Sequence, residues 1–146
     1  MAGAGAGPFA VVANGAAGAR QAKQIGEQVV ARLRGAGQSA ELLLTERRGH
    51  GTELATSALA RGAKRVVACG GDGTIQEVVQ TLAGTAIPLG IVPCGRGNDL
   101  ARVLGIPSDP ARATAIAATS TAVIAREYFM RVGPMTPTVP VPRPSK

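Results

Sequence analysis

The chain has 146 residues, a formal net charge of +7 and only three aromatic side chains, Phe9, Tyr128 and Phe129. That length suits one domain burying roughly 70% of its unfolded surface and excludes a second full one. A core built from Ala, Val, Leu and Ile fits a parallel sheet covered by helices, and so few aromatics exclude the base-stacking surface of a nucleic-acid binder.

Residues 1–7 are a small-residue run with neither a basic leader nor a long apolar segment, so they read as a flexible N-terminus and not as a signal peptide. A buried strand follows at 9–13, closed by the turn sequence Asn14-Gly15-Ala16-Ala17-Gly18. Across 19–33, Ala22, Ile25, Val29, Val30 and Leu33 share one helical face, and Gly35 and Gly37 stop the helix. The next strand is 40–44. A polar turn at 45–49 carries Arg47-Arg48, whose charges read by default as solvated. Leu54, Ala55, Ala58 and Leu59 predict a helix over 50–60, ended by Gly62, and a third strand runs over 65–69.

That third strand breaks into Gly70-Gly71-Asp72-Gly73-Thr74, after which Ile75, Val78, Val79 and Leu82 recur at helical spacing. A strand, a tight loop and a helix N-terminus present unpaired backbone N–H groups and the positive end of a helix dipole, a setting for an anion such as phosphate. The same glycines also serve where nothing binds and only an unusual backbone angle is needed. Asp72 tilts the reading, because a carboxylate repels bare phosphate and implies a bridging cation such as Mg²⁺.

A fourth strand at 89–92 ends in a second glycine-rich loop, Pro93-Cys94-Gly95-Arg96-Gly97-Asn98-Asp99, followed by a short helix closed by Gly105 and Pro107. Asp109-Pro110 opens an alanine-rich helix to about residue 118. From 119 onward five prolines crowd the end of the chain, which reads as a disordered or polyproline-like tail with one weakly strand-like stretch at 126–132. Cys69 and Cys94 each close a strand and have neither disulfide nor metal-ligand spacing, so both read as free thiols of a reducing compartment. No apolar run reaches membrane-spanning length. The expected location is cytoplasmic, with at most peripheral contact at the inner membrane face; phosphorylated small molecules or an anionic membrane suit the positive charge.

Alternation of strands and helices predicts an α/β fold, a three-layer doubly wound parallel sheet with right-handed crossovers. Ligands of such sheets collect outside the carboxyl ends of the strands, where the loops after the first, third and fourth strands converge.

Gly70-Gly71-Asp72-Gly73-Thr74, then Glu77-Val78-Val79, then Pro93-x-Gly95-x-Gly97-Asn98-Asp99-Leu100-Ala101-Arg102 resemble the diacylglycerol kinase catalytic domain family, which includes sphingosine, ceramide and bacterial lipid kinases. Asn14, Thr45 and Gly49-His50 with Glu53-Leu54-Ala55 support the resemblance, which covers residues 8–118. It implies a domain like the N-terminal one of NAD kinases and phosphofructokinases. ATP would bind with its phosphates at Gly70, Gly71, Gly73 and Thr74, with Asn14, Thr45, Glu77, Gly95, Arg96, Gly97 and Asn98 lining the crevice. Asp72 would be the catalytic and metal-serving carboxylate. The reaction implied is transfer of the ATP γ-phosphoryl group to a lipid hydroxyl with Mg²⁺ as cofactor.

Plainer roles stand beside these. His50 caps or packs in preference to catalysing; Thr45 is equally a turn former; Asn98-Asp99 is equally a helix N-cap; Glu77 equally complements a helix dipole. The chain also departs from the family pattern. Asn14 is followed by Gly15 where the family has proline, and Arg96 replaces a threonine, so that it either pairs with nucleotide phosphates or fills their site. The family continues into a β-rich domain that binds the lipid and supplies the general base, and nothing after residue 118 resembles its start. The expectation for this chain is therefore ATP binding with little transfer, against the alternative of a non-catalytic nucleotide- or phosphate-binding partner.

Overall fold

The computed structural model describes residues 9–16, 20–94, 99–103 and 105–119. Gly95, Arg96, Gly97 and Asn98, and the expected tail with its strand-like 126–132, lie outside them.

Four strands, β1 (Phe9–Asn14), β2 (Ala40–Thr45), β3 (Arg65–Gly70) and β4 (Leu89–Pro93), form one parallel sheet in the order β2-β1-β3-β4. Helices α1 (Arg20–Gly35), α2 (His50–Ala60) and α3 (Asp72–Leu82) connect them in turn, and α4 (Asp99–Val103) and α5 (Pro110–Thr119) follow β4. The α/β expectation of a sheet flanked by helices is met. Because successive strand residues face opposite ways, the sheet feeds two cores. Ala10, Val12, Val66, Ala68, Leu89 and Ile91 meet α2, α3 and α4 on one face. Phe9, Val11, Ala13, Val67, Cys69 and Val92 meet α1 and α5 on the other. The result is three layers.

Each helix is placed by its apolar stripe. Ile25, Val29, Val30 and Leu33 are buried on α1, and Ile75, Val78, Val79 and Leu82 on α3, each such side chain contributing roughly 1.5–3 kcal/mol of burial. Gly26 lets α1 settle close to the sheet: a Cβ there would lie 2.8 Å from Ala13 Cβ and 3.0 Å from Leu42 Cδ1. Helix α1 stops at Gly37, at φ 83°, with Gln38 N–H donating to Leu33 C=O (2.9 Å) and Gly37 N–H to Arg34 C=O (3.0 Å). Gly62, at φ 95°, ends α2 with the corresponding pair of bonds.

The chain runs from β1 outward to β2, then crosses back over β1 to β3, so β1 and β3 flank a topological switch point. The loops leaving the carboxyl ends of β1, β2 and β3 open there. Among the described residues no helix is long and apolar enough to cross a membrane.

Candidate functional site

A cleft of about 270 Å³ lies at the switch point, lined by Asn14 and Ala16 after β1, Thr45, Arg47 and Arg48 at and after β2, and Gly71, Gly73, Thr74 and Glu77 after β3. Six of the residues anticipated from the sequence therefore meet in one cavity: Asn14, Thr45, Gly71, Gly73, Thr74 and Glu77. Gly70 and Asp72 do not line it, and Gly95, Arg96, Gly97 and Asn98 fall outside the described residues.

Asn14 ends β1 and its side chain turns the chain: Oδ1 accepts the Ala16 N–H at 3.0 Å and a long bond from Thr45 Oγ1 at 3.4 Å. Thr45 is buried, and its carbonyl accepts the Gly15 N–H at 3.0 Å, so the ends of β1 and β2 are tied together beneath the cleft.

At the third strand, Gly70 is a structural contact. Its carbonyl accepts the Cys94 N–H at 2.9 Å, and a Cβ on it would press Thr74 Cβ at 3.0 Å. Gly71 is the extended N-cap of α3, and no side chain among the described residues caps the helix. The first-turn N–H groups of α3 thus lie at the cleft without a side-chain acceptor among the described residues, beside the positive end of the helix dipole. Helix α3 begins at Asp72, two residues earlier than the sequence suggests, because Gly71 C=O already accepts the Ile75 N–H at 3.1 Å.

Glu77 has a role that its sequence position did not reveal. Its Oε1 accepts the Gly49 N–H at 2.7 Å and its Oε2 the Gly51 N–H at 2.9 Å. Glu77 therefore caps α2, a neighbouring helix, and not its own. Gly51 is required by this arrangement, since a Cβ there would lie 2.5 Å from Glu77 Oε2. His50 completes the turn: its ring Nδ1 accepts the Glu46 N–H at 2.9 Å and its backbone N–H donates to Arg47 C=O at 3.2 Å, which is the capping and packing role. These bonds fix the 45–51 turn and hold Arg47 and Arg48 at the cleft. Arg47 pairs with Glu53 at 2.7 Å, while Arg48 has no ion pair among the described residues. Both arginines were legible only as a solvated turn; what marks them is their place directly beyond a strand's carboxyl end.

Asp72 uses Oδ1 to accept the Asp99 N–H at 2.8 Å, linking the start of α3 to the start of α4, and Arg102 pairs with Asp99. Oδ2 of Asp72 carries no hydrogen bond among the described residues. No group of three or more His, Cys, Asp or Glu side chains that could hold a metal exists among them. This donor set fits an ion that gains most of its oxygen ligands from substrate phosphates and one from Asp72, as Mg²⁺ commonly does, and does not fit a protein-caged ion.

Comparison with known proteins bears on this cleft. The family model described as "Diacylglycerol kinase catalytic domain" matches residues 8–126. A diacylglycerol kinase from Mycobacterium tuberculosis (strain ATCC 25618 / H37Rv) is 48% identical over 62 residues, 42% of this chain and 20% of that protein. A protein named "Probable lipid kinase YegS-like" from Chromohalobacter salexigens is 40% identical over 94 residues, 62% of this chain and 30% of that protein. The crystal structure of a diacylglycerol kinase from Bacillus anthracis str. Sterne superposes with a TM-score of 0.61 at 26% identity, over 77% of this chain and 42% of the other. The matched part thus spans less than half of each of these proteins.

Proposed function

The chain belongs to the diacylglycerol kinase catalytic domain family, and on that premise we propose that its cleft binds the phosphates of ATP and serves transfer of the γ-phosphoryl group to a lipid hydroxyl. One observation carries the reading: the α3 N-terminus, without a side-chain cap among the described residues, and Arg48, without an ion pair among them, line the same 270 Å³ cavity. Backbone N–H groups, a helix dipole and a cation are all complementary to a polyanion, and both oxygens of Glu77, the one carboxylate lining the cleft among the described residues, are taken up by the Gly49 and Gly51 N–H groups.

Phosphoryl transfer asks the protein chiefly for positioning and charge stabilisation. Gly71, Gly73 and Thr74 hold the phosphate oxygens; Arg48 neutralises charge from the opposite wall; Asn14 and Thr45 shape the floor. Glu77 is a positioning residue that keeps the 45–51 turn in place. Asp72 would hold Mg²⁺ through Oδ2, and the ion would spread the charge of the transferring group. Acceptor activation needs a base, and the only histidine, His50, spends Nδ1 on the Glu46 N–H. We therefore assign to this chain ATP binding with little transfer, the lipid and its activation belonging to parts of the relatives' length that the match does not span.

Calorimetry on the purified chain tests this. ATP with Mg²⁺ should bind with a dissociation constant between roughly micromolar and millimolar, and Arg48→Gln should weaken it about tenfold or more, the scale of one charge-assisted hydrogen bond. Absence of heat at about millimolar ATP sinks the nucleotide reading. Vigorous phosphorylation of diacylglycerol in vesicles by the chain alone would overturn the assignment of low transfer.

A further inference from the structure

The two cysteines take no part in the cleft as described, yet they lie at the roots of both glycine-rich segments. Cys69 precedes Gly70 at the end of β3 and is fully buried; Cys94 directly follows Pro93 at the end of β4 and is half-buried. Their Sγ atoms are 3.4 Å apart. Cys69 Sγ also lies 3.7 Å from Ala22 C=O, and Cys94 Sγ 3.4 Å from Val92 C=O. The backbone beneath is tied as well, Cys94 N–H donating to Gly70 C=O at 2.9 Å.

We propose that Cys69 and Cys94 form a two-electron oxidation site for hydroperoxides, with Cys94 the sulfur attacked first and Cys69 the resolving thiol, and that the disulfide so formed alters the start of α3.

Geometry sets the two roles. Cys94 is the more exposed of the two residues and so the one a small oxidant from solvent meets first, whereas Cys69 is fully buried in the core beside the Cys94 sulfur. The contact between the two sulfurs holds the Cys94 thiol below its ordinary value against the opposing effect of burial; the same contact, with burial added, pushes the Cys69 thiol up.

In the first step the Cys94 thiolate attacks the distal peroxide oxygen. An S–O bond forms, the O–O bond breaks, and hydroxide or alkoxide leaves and takes up a proton. In the second, the Cys69 sulfur attacks the sulfenic sulfur; the S–S bond forms, the S–O bond breaks, and hydroxide departs as water with the Cys69 proton. Two thiols and one hydrogen peroxide give one disulfide and two waters, the sulfurs losing two electrons to the peroxide oxygens. Closing 3.4 Å to the disulfide length of about 2.05 Å draws the sulfurs together by a little over an ångström. Cys69 is locked in the sheet core and Cys94 is bonded to Gly70, so the strain falls on Gly70 and Gly71, which lead into α3.

Two buried thiols in mere packing contact would show none of this. The experiment treats the purified chain with hydrogen peroxide and reads it by mass spectrometry. Residues 66–96 contain no Lys or Arg before Arg96, so trypsin leaves both cysteines in one peptide. That peptide should lose the mass of two hydrogens, and cleavage after Glu77 should leave its halves joined until dithiothreitol is added. Cys69→Ala should leave a Cys94 sulfenic acid that dimedone traps, and Cys94→Ser should leave Cys69 unmodified. Sulfinic acid on Cys94 beside a free Cys69 in the unsubstituted chain, a disulfide only between chains, or no modification overturns the site. If Cys69→Ala does not fold, the unsubstituted chain and Cys94→Ser decide the matter.

The effect on α3 is read by hydrogen exchange, with the amides of Gly71, Gly73 and Thr74 exchanging at least about threefold faster in the cross-linked chain; unchanged exchange removes that half of the proposal. Its bearing on ATP rests on the nucleotide reading and is separable from it: cross-linking with altered exchange but no ATP binding by the reduced chain leaves the oxidation site standing and fails only the nucleotide assignment.

Discussion

At Glu77 one carboxylate answers two amides of another helix, and its worth follows from what its removal leaves behind. Glu77→Ala strands the Gly49 and Gly51 N–H groups at the α2 N-terminus, in a half-buried position. Losing an acceptor from a partly buried donor costs about 1–3 kcal/mol, and bonds to a charged acceptor sit at the upper end. Glu77→Ala should therefore destabilise the chain by about 2–3 kcal/mol in urea unfolding, and Glu77→Gln, which keeps one acceptor oxygen, by roughly half as much. Equal stability of all three proteins would show that the cap is idle. By contrast, the Arg47–Glu53 and Arg61–Glu41 pairs are exposed, and removing either should change stability by less than about 1 kcal/mol.

Among elements, α1 illustrates two effects pulling in opposite directions. Gly26 sits inside a helix, where alanine would be favoured by up to about 1 kcal/mol on propensity. A Cβ there, however, would lie 2.8 Å from Ala13 Cβ, an atom fixed on a fully buried strand. Overpacking of that kind costs about 1–3 kcal/mol, so Gly26→Ala should lower stability by about 1 kcal/mol net, and Gly26→Val by more, measured as the urea midpoint at constant slope. Elements of this sort were readable in advance. Apolar spacing located every helix that connects the strands, and short apolar runs closed by polar or glycine-containing turns located the strands. Boundaries drifted where glycine punctuation hides a first helical turn, as at Asp72 and Gly73. Partnerships that close across the fold were not readable. Glu77 finds its amides 28 and 26 residues away, and Cys69 meets Cys94 across 25 residues, so no local spacing marks either. Arg48 was legible as a charge but not as a cleft wall, because only the parallel pairing of β2 beside β1 brings its turn to the cleft.

For the molecule as a whole, the bond from α3 to the start of α2 decides how the parts come and go together. Helix α2 has no side-chain cap of its own; its N-cap is Gly49, at φ 83°, and its donors wait for a carboxylate that arrives only when α3 is docked on the sheet. The two crossovers should therefore open as one cooperative unit and not as two independently fraying pieces. In native-state hydrogen exchange the Gly49 and Gly51 amides should share the opening free energy of the α3 core around Val78 and Val79, and in Glu77→Ala they should uncouple from it and exchange as terminal amides do. A cleft whose walls belong to one such unit cannot lose its arginine-bearing turn while keeping its helix N-terminus, so partial opening would empty the site at once and never leave it half built.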